Sequence, residues 1–323
     1  SIGTALLMKE GVKLSEDVSL PAPDFVYTAR ACPNHLFFGD CIGRIFKVPV
    51  IMIDCPVSYT EAEIQQNIPY VEQQIEKSVI PFLEEMTGRR FDYDRLKEEM
   101  GVLHRVTILR QETINQSKVI PAPITFFDAA MTIAVVMSLG GKPATEKFYQ
   151  DFRAEVNERI AQKVASVPGE KYRFFWHHIP LWHSLGSLSE KLAALGASLV
   201  VATYTHGTVF PTPETTDPRR PIHSIAEHLV RASQFANPEE TLEYIVKAVE
   251  DFSLDGVVFH NHQTCRIMDI GQMAIMRALE RRVGIPAIQI DADSVDHDMF
   301  SETQADARIQ MLIDMIDSRR RYK

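Results

Sequence analysis

The sequence predicts an α/β protein made of two related, doubly wound parallel-sheet domains with a helical middle segment. Three observations lead to this fold class. Short apolar runs alternate with helix-length segments, a plan of strand, cysteine loop and helix occurs twice, and a chain of 323 residues that is 45% hydrophobic can bury two cores. We place an N-terminal α/β domain with a helical extension at residues 1–165 and a C-terminal α/β domain at residues 166–323.

The N-terminal domain begins with a predicted strand–helix–strand unit. Apolar runs at residues 25–27 and 48–53 flank a Phe-rich helical stretch near residues 36–46. From Glu61 to Met86 the apolar residues recur at spacings of three and four, which predicts a helix, and Gly88 is placed as its C-cap.

The C-terminal domain is predicted to have a flavodoxin- or Rossmann-like parallel sheet. After Pro168 and Gly169, strand candidates alternate with helix-length segments. The candidates are residues 173–176, 198–203, 256–259 and 287–290. An amphipathic stretch at residues 302–316 predicts the closing helix, and Arg319 to Arg321 then complement the negative end of its dipole.

An internal similarity relates the two halves. Asp24 leads through a strand to Cys32, a helix and a second strand that ends at Asp54, and Asp255 leads through the same plan to Cys265 and Asp291. The cysteine follows the first Asp by 8 residues in one copy and by 10 in the other. Any two strand–helix–strand units share part of this pattern, but the matching cysteine position is more specific.

Composition and missing motifs exclude several functions. The net charge of -9 comes from 43 acidic and 34 basic residues, which disfavours nucleic-acid binding. The longest apolar run, near residues 131–137, is far shorter than the roughly 18 residues of a membrane-spanning helix. Four scattered cysteines fit a reducing cytoplasm better than a disulfide framework. The sequence has no phosphate-binding G-x-x-x-x-G-K-[ST] loop and no dinucleotide-binding G-x-G-x-x-G motif.

Cys32 and Cys265 are the main candidates for metal-cluster ligands. Each follows a predicted strand by a few residues, at the edge where parallel sheets bind ligands. Cluster iron prefers thiolate sulfur, and three cysteines leave one iron open to a substrate. Cys41 is the third candidate, although its position inside a predicted helix also suits a buried structural thiol. Cys55 is either a further ligand or a turn residue before Pro56.

His260 and His262 are the candidate catalytic residues. In the predicted loop before Cys265 they could donate hydrogen bonds to a cluster or to a thioester carbonyl, or they could be satisfied loop residues. A zinc site is the weaker interpretation, because no second ligand pair completes it. The aromatic and imidazole groups of residues 176–183 either line the same crevice or pack between domains. Asp291 and Asp293 could form a base or metal site, or cap a helix.

Several motifs together resemble the 2-hydroxyacyl-CoA dehydratase family, which includes benzoyl-CoA reductase subunits. They are the Cys32-Pro-Asn-His segment, residues 48–56, the helix of residues 70–88 and residues 260–286. The resemblance implies an oxygen-sensitive, anaerobic enzyme subunit that binds a [4Fe-4S] cluster through three cysteines. It also implies a heterodimer with a related subunit, an acyl-CoA substrate and a separate ATP-dependent activator, which would explain the missing phosphate loop.

The family chemistry leaves three functions open. In the dehydratases, which are lyases, one electron converts the thioester to a ketyl radical that expels the hydroxyl group, whereas in the reductases it enters an aromatic ring. A non-catalytic electron-relay or scaffold subunit is the alternative of another class. By the resemblance Cys32 is the middle ligand and Cys265 the last. The first ligand is expected ahead of Ser1, unless Cys41 substitutes or this copy lacks a complete cluster.

Overall fold

The computed structural model of the protein describes residues 21–30, 33–207, 209–232 and 237–322. Cys32 and the expected site ahead of Ser1 therefore lie outside the described residues. The chain forms an α/β fold with parallel sheets, as the sequence predicts. It divides into two compact units, of which the first comprises residues 1–95 with 220–233 and the second residues 96–219 with 234–323.

The described helices are numbered in chain order. They are α1 (Pro33–Phe46), α2 (Glu61–Gln74), α3 (Ile80–Thr87), α4 (Tyr93–Ile114), α5 (Phe126–Leu139), α6 (Pro143–Ala161), α7 (Leu185–Ala194), α8 (Thr203–His206), α9 (Pro221–Arg231), α10 (Pro238–Asp251), α11 (Arg266–Asp269), α12 (Gln272–Val283) and α13 (Glu302–Arg321). None of these helices is both long and apolar enough to cross a membrane.

The first unit contains a two-stranded parallel sheet. Strand β1 (Val26–Ala29) pairs with β2 (Val50–Ile53), and α1 connects them, which confirms the predicted strand–helix–strand unit. Helices α2, α3 and α9 surround a small apolar core that includes the end of β2. A capping box at Thr60 and Glu63 begins α2, and Gly88, at a φ of 64°, ends α3 as predicted.

The second unit contains a four-stranded parallel sheet. Its strands are β3 (Tyr172–His177), β4 (Ala197–Ala202), β5 (Gly256–His262) and β6 (Ala287–Ala292), and the spatial order is β4, β3, β5, β6. All four match predicted strands. Because β3 connects to β4 on one side and the chain then returns to place β5 on the other, the strand order reverses between β3 and β5. Ligands of open α/β sheets bind at such a switch point, beyond the carboxyl ends of the strands.

Helices cover both faces of this sheet, so the unit is doubly wound. One core packs Phe174 and Trp176 of β3 against α5, α7 and α13. The core on the other face packs Phe175 of the same strand against α10 and α12. Alternate residues of one strand therefore enter two different cores, as the twofold periodicity of a strand requires.

The two compact units do not follow the predicted boundary at residue 165. Helices α5 and α6 belong to the second unit together with the four-stranded sheet. The buried Arg173 side chain of β3 shows one reason, because its guanidinium donates to the carbonyl oxygens of Ser117 and Phe252 at 2.7 and 2.8 Å. These bonds fasten the helical middle segment to the C-terminal sheet.

Candidate functional site

Histidine side chains cluster at the switch point of the four-stranded sheet. Strand β3 ends at His177 and is followed by His178, and β5 carries His260 and His262 near its end. The ring centroid of His178 lies 5.3 Å from that of His260 and 5.2 Å from that of His262, and the latter two rings stack at 5.1 Å. Trp176 lies against His260 at 5.7 Å. The predicted histidines therefore meet the aromatic segment after β3 in one cluster.

His260 lies on strand β5 and is fully buried. Its Nδ1 lies 2.9 Å from the carbonyl oxygen of Ile179, and because a carbonyl only accepts, Nδ1 carries the hydrogen. Burial lowers the pKa of His260 to about 4, so its ring is neutral at neutral pH. Its Nε2 is then an acceptor, and it has no hydrogen-bond partner among the described residues.

His262 ends the same strand in a dense polar network. Its Nε2 lies 2.7 Å from Ser294 Oγ, and its Nδ1 lies 3.2 Å from Thr264 Oγ1 and 3.4 Å from Asp293 Oδ2. Thr264 in turn donates to Asp293 at 2.6 Å. Burial alone would raise the pKa of Asp293, but this bond and the bonds from the backbone N–H groups of residues 295 and 296 outweigh it, and the pKa is lowered. The network fixes the His262 ring.

His178, which lies in the segment of residues 176–183 that was expected either to line the crevice or to pack between domains, occupies a strained position. It is fully buried, and its φ of 98° lies in a region that residues with a Cβ rarely adopt. The backbone N–H donates to Thr203 Oγ1 at 2.8 Å, and Nδ1 accepts from the N–H of Ile179 at 2.7 Å. Burial holds the pKa of His178 well below its usual value. In the neutral ring Nε2 therefore carries the hydrogen.

Asp269 on the one-turn helix α11 also belongs to this cluster. Its Oδ1 accepts from the backbone N–H of His262 at 3.1 Å and from Gln272 Nε2 at 2.7 Å, and it lies 3.8 Å from His178 Nε2. Burial raises the pKa of Asp269 to about 7, although the bond from His262 opposes the shift. Sequence reasoning missed this carboxyl, because no motif or spacing distinguishes it from a surface Asp.

The cysteines lie in different environments. Cys265 is half-buried in the loop directly after β5, where its N–H donates to the carbonyl oxygen of His262 at 2.8 Å. Cys41 is half-buried on α1 of the first unit. Cys55 lies in the core of that unit, and burial raises the pKa of its thiol to about 11. Cys265 therefore follows the histidine-bearing strand and contacts His262 through its backbone, Cys55 is a core thiol, and Cys32 is outside the described residues.

The described residues at this edge of the sheet include one side chain that could be a ligand of an iron–sulfur cluster. Cys265 offers a thiol at the switch point, and it is partly open to solvent. Among the described residues no group of three or more His, Cys, Asp or Glu side chains is arranged to hold a metal ion. The zinc interpretation gains no support from this geometry, and the complete ligand set for a cluster stays a prediction.

The strand order and the side chains together place the chain in the class of doubly wound α/β proteins. At the edge of the sheet where such proteins bind ligands, it carries a cysteine and a cluster of imidazoles. The family model for "2-hydroxyglutaryl-CoA dehydratase, D-component" matches residues 3–316. The chain belongs to this family, and the resemblance that its motifs indicate is confirmed. It is therefore an enzyme subunit of the type found in 2-hydroxyacyl-CoA dehydratases and benzoyl-CoA reductase.

Characterised relatives align over nearly the whole chain. The alpha subunit of lactoyl-CoA dehydratase from Anaerotignum propionicum is 25% identical over 94% of this chain and 72% of its own length. The alpha subunit of (R)-2-hydroxyisocaproyl-CoA dehydratase from Clostridioides difficile is 25% identical over 95% of this chain and 74% of its own. A benzoyl-CoA reductase subunit from Thauera aromatica is 25% identical over 93% of this chain and 72% of its own. The chain is thus similar to subunits of both enzyme types.

Proposed function

We propose that this chain is the [4Fe-4S]-binding subunit of a 2-hydroxyacyl-CoA dehydratase. The position of Cys265 is the observation that supports the proposal most. Cys265 follows the central strand β5 at the switch point, and its backbone N–H donates to the carbonyl oxygen of His262, a member of the imidazole cluster. Cys32 and Cys41 are the proposed companion ligands.

A bound cluster would supply one electron to the thioester carbonyl of the substrate. Three thiolate ligands would leave one iron without a protein ligand, which is what a cluster that also meets a substrate needs. Cys55 is left out of the proposed set, because its thiol is fully buried in an apolar core, where the thiolate is disfavoured.

The protein groups beside Cys265 have a different task in the proposed site. His260 and His262 form a neutral, hydrogen-bonding wall, since burial lowers the pKa of both rings. Ser294 and Thr264 hold the His262 ring from its two nitrogens, so that the wall keeps its shape when a substrate enters. These preorganised neutral groups give the proposed site a fixed shape, but they leave no free N–H for the thioester carbonyl, because His260 Nε2 is an acceptor and both nitrogens of His262 are already bonded.

The proposal includes two protein partners and an acyl-CoA substrate. Several relatives are named alpha subunits, which supports a second, related subunit and a heterodimer. A separate ATP-dependent activator is the proposed source of the electron, consistent with a sequence that has no phosphate-binding loop motif.

Turnover under anaerobic conditions tests the dehydratase proposal. The chain, its partner subunit and the activator are combined with ATP, a low-potential reductant and a 2-hydroxyacyl-CoA. We expect conversion to the enoyl-CoA, a loss of more than about 100-fold in Cys265→Ala, and near-normal turnover in the matched variant Cys55→Ala. Wild-type turnover in Cys265→Ala would support a non-catalytic relay or scaffold subunit instead.

A benzoyl-CoA reductase subunit is the second candidate function. The reductase subunit from Thauera aromatica has the same 25% identity to the chain as two of the dehydratase subunits, which favours keeping this alternative. The same assay with benzoyl-CoA distinguishes the two. Consumption of benzoyl-CoA with no conversion of 2-hydroxyacyl-CoA thioesters would assign the chain to the reductases.

A further inference from the structure

We propose that His178, His260 and Asp269 bind one internal water molecule, and that this water and Asp269 form the proton-transfer group of the site. The second part rests on the proposed dehydratase function, whereas the first does not. All three side chains belong to the second unit and meet at the switch point between β3 and β5.

The hydrogen bonds to Ile179 determine which nitrogen of each ring carries the hydrogen. Ile179 contacts both imidazoles, because its N–H donates to His178 Nδ1 and its carbonyl oxygen accepts from His260 Nδ1. In the neutral rings His178 Nε2 is therefore a donor, and His260 Nε2 is an acceptor.

Both Nε2 atoms are buried and have no hydrogen-bond partner in the part of the chain that the structure describes. The two rings are edge to face with their centroids 5.3 Å apart, so the donor and the acceptor belong to neighbouring side chains. Buried polar atoms are nearly always paired with protein or with ordered water. One water that accepts from His178 and donates to His260 satisfies both atoms.

Asp269 is the third partner of the proposed water. The 3.8 Å between His178 Nε2 and Asp269 Oδ1 is too long for a direct hydrogen bond, and polar atoms at such a separation are often bridged by water. With its second hydrogen donated to Asp269, the water makes three hydrogen bonds, the usual number for a buried water.

Asp269 is the member of the site that a substrate can reach. Its side chain is 16% exposed, whereas that of His178 is fully buried. The described titratable groups that face it are His178 from the loop after β3 and His262 from β5, both neutral, and Gln272 of α12 is uncharged. Because Oδ1 accepts two hydrogen bonds, the carboxyl proton resides on Oδ2.

The backbone strain at His178 supports a positioned rather than an incidental side chain. A residue with a Cβ at a φ of 98° persists only where its surroundings hold it there, and such residues concentrate at functional sites. Here the bonds to Thr203 and Ile179 hold the backbone and the ring.

In the proposed elimination Asp269 both donates and accepts one proton. The hydroxyl on C2 leaves with the bonding electron pair as hydroxide and takes up one proton to become water, while C3 loses one proton. Asp269 gives the first proton and regains one from C3, so the carboxyl ends as it began. One electron on the thioester carbonyl would allow the C–O bond to break. The cluster proposed above would supply this electron and take it back once the proton has left C3.

Asparagine variants test the water site without iron or turnover. In His260→Asn the amide still donates to the Ile179 carbonyl, and in His178→Asn it still accepts from the Ile179 N–H, so each change keeps the bond to Ile179 and removes Nε2 with the far side of the ring. A high-resolution crystal structure of the wild-type chain is expected to show a water within hydrogen-bond distance of both Nε2 atoms and Asp269, and each variant to lose it. Wild-type density without this water would overturn the site.

Turnover by the reconstituted complex tests the proton-transfer role. We expect Asp269→Asn to lower kcat by about 100-fold at unchanged KM and to remove the pH dependence of kcat near neutrality, because a general acid contributes about that factor. The exposed Asp314→Asn on α13, away from the sheet edge, is the matched control and is expected to behave as wild type. A wild-type kcat in Asp269→Asn would overturn the proton-transfer role. A wild-type complex that lacks both iron and turnover would overturn the proposed function, and the crystal structures would then still test the water site on their own.

Discussion

Burial, rather than charge pairing, decides the protonation of the histidines at the switch point. The pKa of His177 is lowered to about 3 and that of His260 to about 4, in each case mainly because the folded protein withholds water from the ring. The cluster therefore offers neutral donors and acceptors at neutral pH. Because His178 Nε2 is a donor and His260 Nε2 is an acceptor, the cluster suits a small, uncharged polar molecule such as water.

This burial predicts a pH dependence of stability that His260 helps to set. The pKa of its ring is about 4 in the folded chain and 6.5 in a free side chain, so the unfolded state binds the proton more readily. The contribution is complete above pH 6.5 and is lost as the pH falls toward 4, at about 1.4 kcal/mol per pH unit. We measure the free energy of unfolding with urea at several pH values between 4 and 6.5. Its slope against pH is expected to be lower by about this amount in His260→Asn than in the wild type. The exposed His297→Asn is the control, and equal slopes in both variants would contradict the prediction.

The sequence identified part of the site at the residue scale. Cys265, His260 and His262 follow a recognisable strand, so their place at the sheet edge could be predicted. The segment of residues 176–183, which includes His178, was expected to line the same crevice as one of two alternatives. Asp269 could not be predicted, because its role depends on contacts between β3, β5 and α11 that no local pattern encodes. His260 and His262 were also expected in a loop, but strand β5 continues through both.

Elements were more predictable than the contacts between them. All six described strands coincide with apolar runs. In the second unit the reason is that helices cover both faces of the sheet, so its strands are apolar on both faces. The predicted helix from Glu61 to Met86 is interrupted by a π-helical turn at Ile75–Val79. Pro81 gives the physical reason, because it has no N–H to continue the regular hydrogen-bond series at that point.

The C-cap of α3 gives a prediction for this element. Gly88 has a φ of 64°, where a side chain is disfavoured even though nothing lies within 4 Å of an added Cβ. We expect Gly88→Ala to lower the free energy of unfolding by about 1 kcal/mol. Gly186 in α7 has equally open space without a positive φ, so Gly186→Ala is expected not to lower it. Similar losses in both variants, measured by denaturant unfolding, would contradict the conformational explanation.

A buried ion pair fastens β3 to the preceding segment and gives a second prediction for the elements. Arg173 and Glu170 are in contact at 2.6 Å with side chains only 5% and 3% exposed, and Glu170 also accepts from the N–H of Ala122. Glu170→Ala leaves the Arg173 charge buried, so we expect a loss of about 3–5 kcal/mol. Glu112→Ala, which breaks an exposed pair with Arg153, is expected to cost less than about 1 kcal/mol. Equal losses in the two variants would show that burial does not decide these energies.

For the whole molecule, the sequence predicted the α/β class and the family, but not the division into compact units. Composition and alternating elements determine the class. The division depends on long-range bonds such as those from Arg173 to Ser117 and Phe252, and neither carbonyl is marked by its residue type. The helical middle segment therefore joined the second unit, where the histidine cluster also lies.

The iron and sulfide content of the complex tests the central proposal most directly. The chain is purified anaerobically with its partner subunit, as wild type, Cys265→Ala and Cys55→Ala. We predict about four iron and four sulfide attributable to this chain in the wild type and in Cys55→Ala, and their loss in Cys265→Ala. A wild-type complex without iron, or a Cys265→Ala complex that keeps all of it, would contradict the assignment of Cys265 as a cluster ligand.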